Sequence, residues 1–246
     1  MTFDITQLSE ADKYRLEIYH TTNSVFDRQK LQTLYGRVAA MQNRLIIHSI
    51  TGKKVLDVGA GYGWLARMLV DAGLDVVAID PNEECCRFAR DWYGVAVERK
   101  EIYSTGFDDA RFDTVILREV VEHLNFARAM EEISRIVGHE LILFQTNLNL
   151  FVKLSRALAR HKEFNEQPLE YYERIIQQFG FRIEKIFFRD VIAFPLSGGF
   201  VTRQWFPDNA SLQNGLLRID EWSNRILRLV GLSEFICWRC MLYATR

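Results

Sequence analysis

No stretch of this 246-residue chain stays apolar for the roughly 20 residues that a membrane-spanning helix needs. Charge of one sign is equally scarce: 31 Lys and Arg stand against 32 Asp and Glu, a net charge of −1. That balance gives no general attraction to nucleic acid or to an anionic bilayer, although a local basic patch would not show in the total. Cysteine is sparse, with Cys85, Cys86, Cys237 and Cys240 making up the full set of four. Cys237-Trp238-Arg239-Cys240 has C-x-x-C spacing, but it lies in an apolar, aromatic run from Phe235 to Thr245 that reads as a strand. Residues three apart on a strand face opposite sides, which suits neither a metal pair nor a disulfide. All four are therefore expected to be free, buried thiols. The first ten residues lack the pattern of a secretion signal, so the expectation is a soluble, cytoplasmic protein. The G-x-G-x-x-G of dinucleotide-binding folds is also missing.

What the chain does carry is concentrated from Lys54 to Leu65. Val55, Leu56 and Val58 form a short apolar run suited to a buried parallel strand. Gly59, Gly61 and Gly63 follow at every second position. Leu65, Ala66, Met68, Leu69 and Ala72 then recur at helical spacing, with Gly73 as a stop. The order is strand, glycine loop, helix. Glycines allow the sharp turn and the close approach of a ligand to the backbone, and the helix start offers N–H groups and the positive end of a dipole. Asp57 sits two residues before the first glycine.

On these residues the chain resembles the class I S-adenosylmethionine-dependent methyltransferases. Their first motif is an acid followed by G-x-G-x-G, and Asp57-Val58-Gly59-Ala60-Gly61-Tyr62-Gly63 matches every defined position. The resemblance implies a doubly wound, seven-stranded Rossmann-like α/β sheet of order 3-2-1-4-5-7-6, strand seven antiparallel, with the cofactor across the carboxyl ends of the strands. It further implies Gly59, Ala60, Gly61 and Gly63 under the cofactor and Asp57 near its ammonium group. Asp80 ends the second strand, where a carboxylate can accept from both ribose hydroxyls. Pro81 opens the next helix. Glu101 and Ile102, after a third strand at Val95–Arg99, fall where the family meets the adenine. Glu101 departs from the usual Asp. Leu117, near the end of a fourth strand that begins at Phe112-Asp113, falls beside the sulfonium. No Asn-Pro-Pro-Tyr or Asp-Pro-Pro-Tyr follows that strand, which argues against adenine- or glutamine-methylating enzymes.

Glu119-Val120-Val121-Glu122-His123 reproduces an E-x-x-E-H found in the family. On a helix these three polar residues would share a face. Three readings stand side by side: a solvated helix start near the cofactor, a general base supplied by Glu119 or His123, or a divalent-metal site completed by a later histidine such as His161. Ubiquinone-pathway and small-RNA 2′-O-methyltransferases show a similar motif with metal.

The remaining elements complete the expected fold within one domain, residues 1–246. Residues 1–50 form a helical cover, in which Tyr14, Tyr19 and His20 are read first as helix packing and second as contributors to the cleft, and 53–190 form the core. Strand five spans Glu140–Phe144, helices follow over 148–160 and up to Phe179, and strand six spans Phe181–Phe188. Residues 191–234 are read as a lid and substrate insertion, with aromatic loops and an amphipathic helix at Asp220–Val230, and 235–246 as the last strand. The implied activity is transfer of a methyl group from S-adenosylmethionine to an oxygen, less readily a nitrogen, of a small-molecule acceptor of apolar or amphiphilic character. S-adenosylhomocysteine is the product. Glu119 and His123 are the catalytic candidates, with no metal assigned. The alternatives are a metal-dependent O-methyltransferase using Glu119, Glu122 and His123, or a non-catalytic cofactor-binding partner subunit. The acceptor and the oligomeric state are not legible at this level.

Overall fold

A computed structural model describes residues 34–158, 166–198 and 205–246. Tyr14, Tyr19, His20 and His161 lie outside the described residues, as does most of the expected N-terminal cover. The elements in chain order are α1 (Leu34–Ser49), β1 (Lys54–Val58), α2 (Trp64–Asp71), β2 (Asp75–Asp80), α3 (Glu83–Phe88), β3 (Val97–Arg99), β4 (Phe112–Arg118), α4 (Phe126–Ile136), β5 (Val137–Thr146), α5 (Leu150–Leu158), α6 (Leu169–Gln178), β6 (Arg182–Arg189), α7 (Ala193–Leu196), α8 (Ala210–Leu229), α9 (Ser233–Ile236) and β7 (Arg239–Thr245). The seven strands form one sheet of order β3-β2-β1-β4-β5-β7-β6, with β7 antiparallel. β1 pairs parallel with β2 and with β4, so Asp57 has Ala78 on one side and Ile116 on the other.

The backbone contacts divide the chain into two compact units. The second holds residues 45–146, 164–187 and 240–246, hence nearly all of the sheet. Its core packs Ile46, Val55, Leu65, Leu69, Ile116, Ile142, Phe144 and Met241. Central parallel strands have both faces covered, which is why β1 is buried at four of five positions instead of alternating. α4 shows the helical counterpart: Phe126, Ala129, Met130, Ile133 and Ile136 are all buried at i, i+3, i+4, i+7 and i+10, and the Asn125 side chain caps it by accepting from the Arg128 N–H at 3.2 Å.

Two carboxylates secure the start of this sheet. Asp113 Oδ2 accepts from the backbone N–H groups of Lys53 and Lys54 at 2.8 and 2.9 Å, and these bonds hold its carboxyl below the usual range. Buried Glu140 accepts from the Thr51 hydroxyl, from Thr114 at 2.7 Å and from Tyr243 at 3.0 Å. Burial pushes its carboxyl up, but these hydrogen bonds outweigh it and the net shift is downward.

The first unit gathers residues 1–44, 147–163 and 188–239, so it draws on both the expected cover and the expected insertion. Leu34, Val38, Val152, Ala193, Phe194, Leu216 and Trp238 form its core. A buried polar network runs through it. Asp190 Oδ1 accepts from Arg189 Nε at 2.9 Å and Oδ2 from Gln42 Nε2 at 2.7 Å, while Asp220 Oδ1 accepts from the N–H groups of Val191, Ile192 and Ala193.

Several boundaries differ from the sequence reading. β3 is shorter, Val97–Arg99, and β5 longer, Val137–Thr146. The insertion helix α8 begins ten residues earlier than Asp220, because Asn209 Oδ1 caps it by accepting from Ser211 and Leu212. The last strand begins at Arg239; Ser233–Ile236 is a helical turn. Side-chain amides of Asn147 and Asn149 hold the Glu234 and Cys237 carbonyls, so this segment is fixed by distant partners. Cys237 therefore lies outside the strand. All four thiols are free; Cys85, Cys237 and Cys240 are buried as expected, whereas Cys86 is only half-buried, and burial pushes the Cys237 thiol up to about 12.

Candidate functional site

β1 ends at Val58, and the chain turns at once through Gly59, Gly61 and Gly63, with φ of 68°, 54° and 81°. Positive φ at three alternate positions accounts for the glycines. Two are also fixed by packing. A Cβ at Gly59 would stand 2.4 Å from Val120 Cγ2, and one at Gly63 would stand 2.6 Å from Ala89 Cβ. Gly61 is different: a Cβ there would meet nothing within 4 Å. Its face is open to a ligand.

The loop folds over the end of β2. Gly59 and Ala60 donate to the Ile79 carbonyl at 2.9 and 3.0 Å, and Gly61 donates to Asp80 Oδ2 at 2.8 Å. These three amides thus face the protein. What the glycine loop offers outward is close approach at Gly61 more than a cradle of N–H donors.

Two acids stand at this turn, in different states. Asp80 accepts from Gly61 through Oδ2 and from Asn82 N–H through Oδ1, each at 2.8 Å. A carboxylate oxygen has two lone pairs and can accept more than one such bond. Asp57 is 1% exposed, and its Oδ2 has no hydrogen-bond partner among the described residues. Burial lifts its carboxyl to about 7; Arg118 pulls the other way, and Asp80 adds to the rise. A buried carboxylate oxygen with nothing to accept is costly in itself. Here it fits a cationic ligand group, such as the ammonium of an amino-acid moiety.

The other anticipated residues fall around this centre. Pro81 is exposed just past β2, and Glu101 is exposed after β3 with the Ile102 side chain buried beside it. Leu117 is fully buried in β4 and pairs with Val58. The E-x-x-E-H segment is not arranged as expected. Glu119 follows β4 directly and is in the left-handed region, φ 53°, and its N–H donates to the Phe144 carbonyl at 2.8 Å. Only Val121–His123 form a short 3-10 turn. Glu119 therefore does not share a helix face with the other two, because the left-handed residue turns the chain out of the sheet. Glu122 Oε1 and His123 Nε2 come within 3.9 Å. Among the described residues no three His, Cys, Asp or Glu side chains gather as a metal site. A left-handed glutamate at a strand end is the kind of local strain that functional sites retain.

Beside His123 lies a cleft of about 420 Å³, lined by Glu122, His123, Asn125, Phe126, Tyr171 and Tyr172 among others. Burial pushes the Tyr172 hydroxyl up to about 12, and it accepts from the Gln167 N–H at 3.2 Å. Sequence reasoning passed over these tyrosines, since the start of α6 carries no motif. It also passed over Arg118 and Val120. The β1–β4 pairing of Val58 with Leu117 is the signal that would have found them, since it brings the residues after Leu117 level with Gly59.

Residues 56–143 match the family described as a methyltransferase domain. The chain is similar to the ubiquinone biosynthesis O-methyltransferase of Azorhizobium caulinodans, 33% identical over 119 residues, 46% of this chain and 47% of that protein. It spans between about a third and somewhat over half of the length of the curated relatives it matches. In fold it is similar to a SAM dependent methyltransferase from Archaeoglobus fulgidus, with TM-score 0.58 and 20% identity over 85% of this chain and 93% of that one. It is also similar to magnesium protoporphyrin IX methyltransferase from Synechocystis PCC 6803, solved with bound SAH, with TM-score 0.64 and 14% identity over 97% and 95%.

Proposed function

We propose that this chain, whose residues 56–143 match a methyltransferase domain, moves a methyl group from S-adenosylmethionine to an oxygen of a small-molecule acceptor. S-adenosylhomocysteine is left behind. The observation that carries this reading is the Asp57–Gly63 turn: an open glycine face beside a buried carboxylate oxygen that lacks a partner. When bound, S-adenosylmethionine supplies a methyl group already activated by a sulfonium.

The protein's share is then binding, alignment and proton management. Asp57 takes the ammonium, and Gly61 lets the ligand close on the backbone. Asp80 is held rigid by Gly61 and Asn82, and its carboxylate accepts the ribose hydroxyls. Pro81, Glu101 and Ile102 flank the adenine end, and Leu117 backs the reacting end. The cleft beside His123 receives the acceptor, with Phe126, Tyr171 and Tyr172 as apolar walls. His123, half exposed and 3.9 Å from Glu122, accepts the acceptor's proton as the methyl transfers; Glu119 is the second candidate. Oxygen is favoured over nitrogen by the O-methyltransferase names of the curated relatives.

Calorimetric titration with S-adenosylhomocysteine on wild type and Asp80→Ala tests the first half. Micromolar binding that weakens at least tenfold in the variant is expected, and no binding to folded wild type overturns the reading. Turnover against a panel of hydroxylated and aminated acceptors, with Glu119→Gln and His123→Ala, tests the second. Loss of a positioned base costs roughly 10²–10⁴ in rate.

A further inference from the structure

The first compact unit carries an apolar rim. Leu229 is 86% exposed, Leu150 71% and Phe235 61%, and Phe151, Val230 and Leu232 are also exposed. α9 packs against both α5 and α8, so the segments that bear these side chains adjoin one another. The mounting is firm. Asn147 Nδ2 donates to the Glu234 and Cys237 carbonyls at 2.7 and 3.0 Å, Asn149 Nδ2 donates to the same pair at 3.0 and 2.9 Å, and the Leu232 N–H donates to the Leu227 carbonyl at 2.8 Å. Scattered exposed leucines are ordinary, whereas a cluster on hydrogen-bonded backbone marks an interaction surface.

The charges around it are one-sided. α5, α8 and α9 carry Lys153, Arg156, Arg218, Arg225 and Arg228 against Asp220, Glu221 and Glu234, and Asp220 is buried. This stands out in a chain of net charge −1. Arg218, Trp222, Arg225 and Leu229 follow one another at i, i+4, i+7 and i+11, so they share a stripe of α8. Arg218, Trp222 and Arg225 also line a groove of about 610 Å³ with Met41, Asn214, Leu217 and Glu221, where Glu221 pairs with Arg225 at 3.8 Å and leaves Arg218 and Arg228 as the excess charge of the helix. Cations, an exposed tryptophan and protruding leucines are the components of a helix that lies in a membrane interface.

We propose that this rim docks the protein on an anionic phospholipid bilayer. Leu150, Leu229, Val230 and Phe235 enter the boundary between headgroups and acyl chains, and Lys153, Arg218, Arg225 and Arg228 pair with the headgroups. Nothing here crosses the bilayer: among the described residues no helix is long and apolar enough. A second copy is the poorer occupant, because self-pairing of the α8 stripe sets arginine against arginine with only Glu221 to offset it. The inference does not depend on methyl transfer, though it would bring an apolar acceptor within reach of the protein.

The test is flotation of the full chain with phosphatidylcholine vesicles, with and without phosphatidylglycerol, at low and high salt. Wild type is expected to float with the anionic vesicles alone and to be released by salt. Leu229→Glu/Phe235→Glu should abolish flotation. Arg225→Gln/Arg228→Gln should weaken partition about thirtyfold, from the contribution of two arginines near a charged surface. Thermal melts and far-UV circular dichroism confirm that each variant is folded, and the arginine pair is exposed enough to leave the fold untouched. The proposal is overturned if folded wild type ignores the anionic vesicles or if both variants float like wild type. It is also overturned if light scattering shows a dimer that Leu229→Glu/Phe235→Glu dissolves while vesicle binding is unchanged.

Discussion

Asp57→Asn should remove a pH dependence that wild type carries in two quantities at once. The Asp57 carboxyl lies at about 7 because it is buried, with Arg118 opposing and Asp80 adding to the rise. Its ordinary value is 3.8. The folded pKa is raised, so the fold prefers the protonated acid. The ligand-free protein therefore loses stability to this group as pH climbs from about 4 to about 7, at roughly 1.4 kcal/mol per pH unit. Cofactor binding as proposed has the opposite demand, because a ligand ammonium paired with Asp57 needs the carboxylate. Near pH 6 about one Asp57 in ten is ionised, so affinity for S-adenosylhomocysteine should fall about tenfold per unit below pH 7. Calorimetry across that range, repeated in buffers of different ionisation enthalpy, should detect release of about one proton per ligand below pH 7. The asparagine amide of the variant cannot ionise. Its binding should be weaker at pH 8 by about tenfold to a hundredfold, flat with pH and without proton release. The variant should also melt higher than wild type at pH 8 without ligand, since an unpaired buried charge is gone. The reasoning fails if wild-type affinity is flat from about pH 5.5 to about 8, or if the asparagine variant keeps the slope.

Three further changes test the frame around the site. Gly59→Ala meets Val120 Cγ2 at 2.4 Å on a backbone with φ of 68°, so it should cost about 2–4 kcal/mol in denaturant unfolding, and Val120→Ala in the same chain should return part of it. Glu132, held by Arg135 and Thr105, has its carboxyl pulled down to about 2. Its stabilisation is thus complete above about pH 4.5 and lost as pH falls through about 2, and Glu132→Gln should flatten the acid limb of the stability curve and cost about 2 kcal/mol at pH 7. Asn209→Ala removes the cap that Ser211 and Leu212 donate to, and should lower stability by about 1 kcal/mol, with amide exchange rising first in the opening turn of α8.

The parts of this protein that were readable in advance are those whose causes are local. From Lys54 to Gly73, strand, glycines, helix and stop follow one another within 20 residues, and each is set by its own side chains. The topology followed from that motif's family. What escaped was held from a distance. Phe235 and Ile236 open a run apolar enough for a strand, yet they belong to a helical turn that Asn147 and Asn149, some 85 residues away, hold by its Glu234 and Cys237 carbonyls. Glu119 shows the same limit at the site. Its spacing to Glu122 and His123 fits a helix face, but its N–H is claimed by Phe144 on β5, and φ of 53° sends the chain elsewhere. Sequence spacing reports a shared face only if the element is continuous, and here the helical turn begins at Val121, two residues after Glu119.

Asp57 and Asp80 illustrate how one turn holds two carboxylates for different work. Asp80 is satisfied twice by backbone N–H groups, so it stays in place whether or not a ligand is present. Diol recognition needs such a fixed acceptor, and the cost of fixing it is met by the glycine loop it also closes. Asp57 is left with an oxygen that nothing in the described chain satisfies, at a depth where ionisation is expensive. A protein optimised for stability alone would place an apolar residue there, between Ala78 and Ile116. Retaining the acid makes sense if a cation regularly arrives to pair with it. The same burial that destabilises the empty turn makes that pairing strong, because little water competes with it. On this argument the ligand-free protein should gain more stability from its cofactor at pH 8 than a surface site of equal contact area would give, and the gain should shrink in Asp57→Asn.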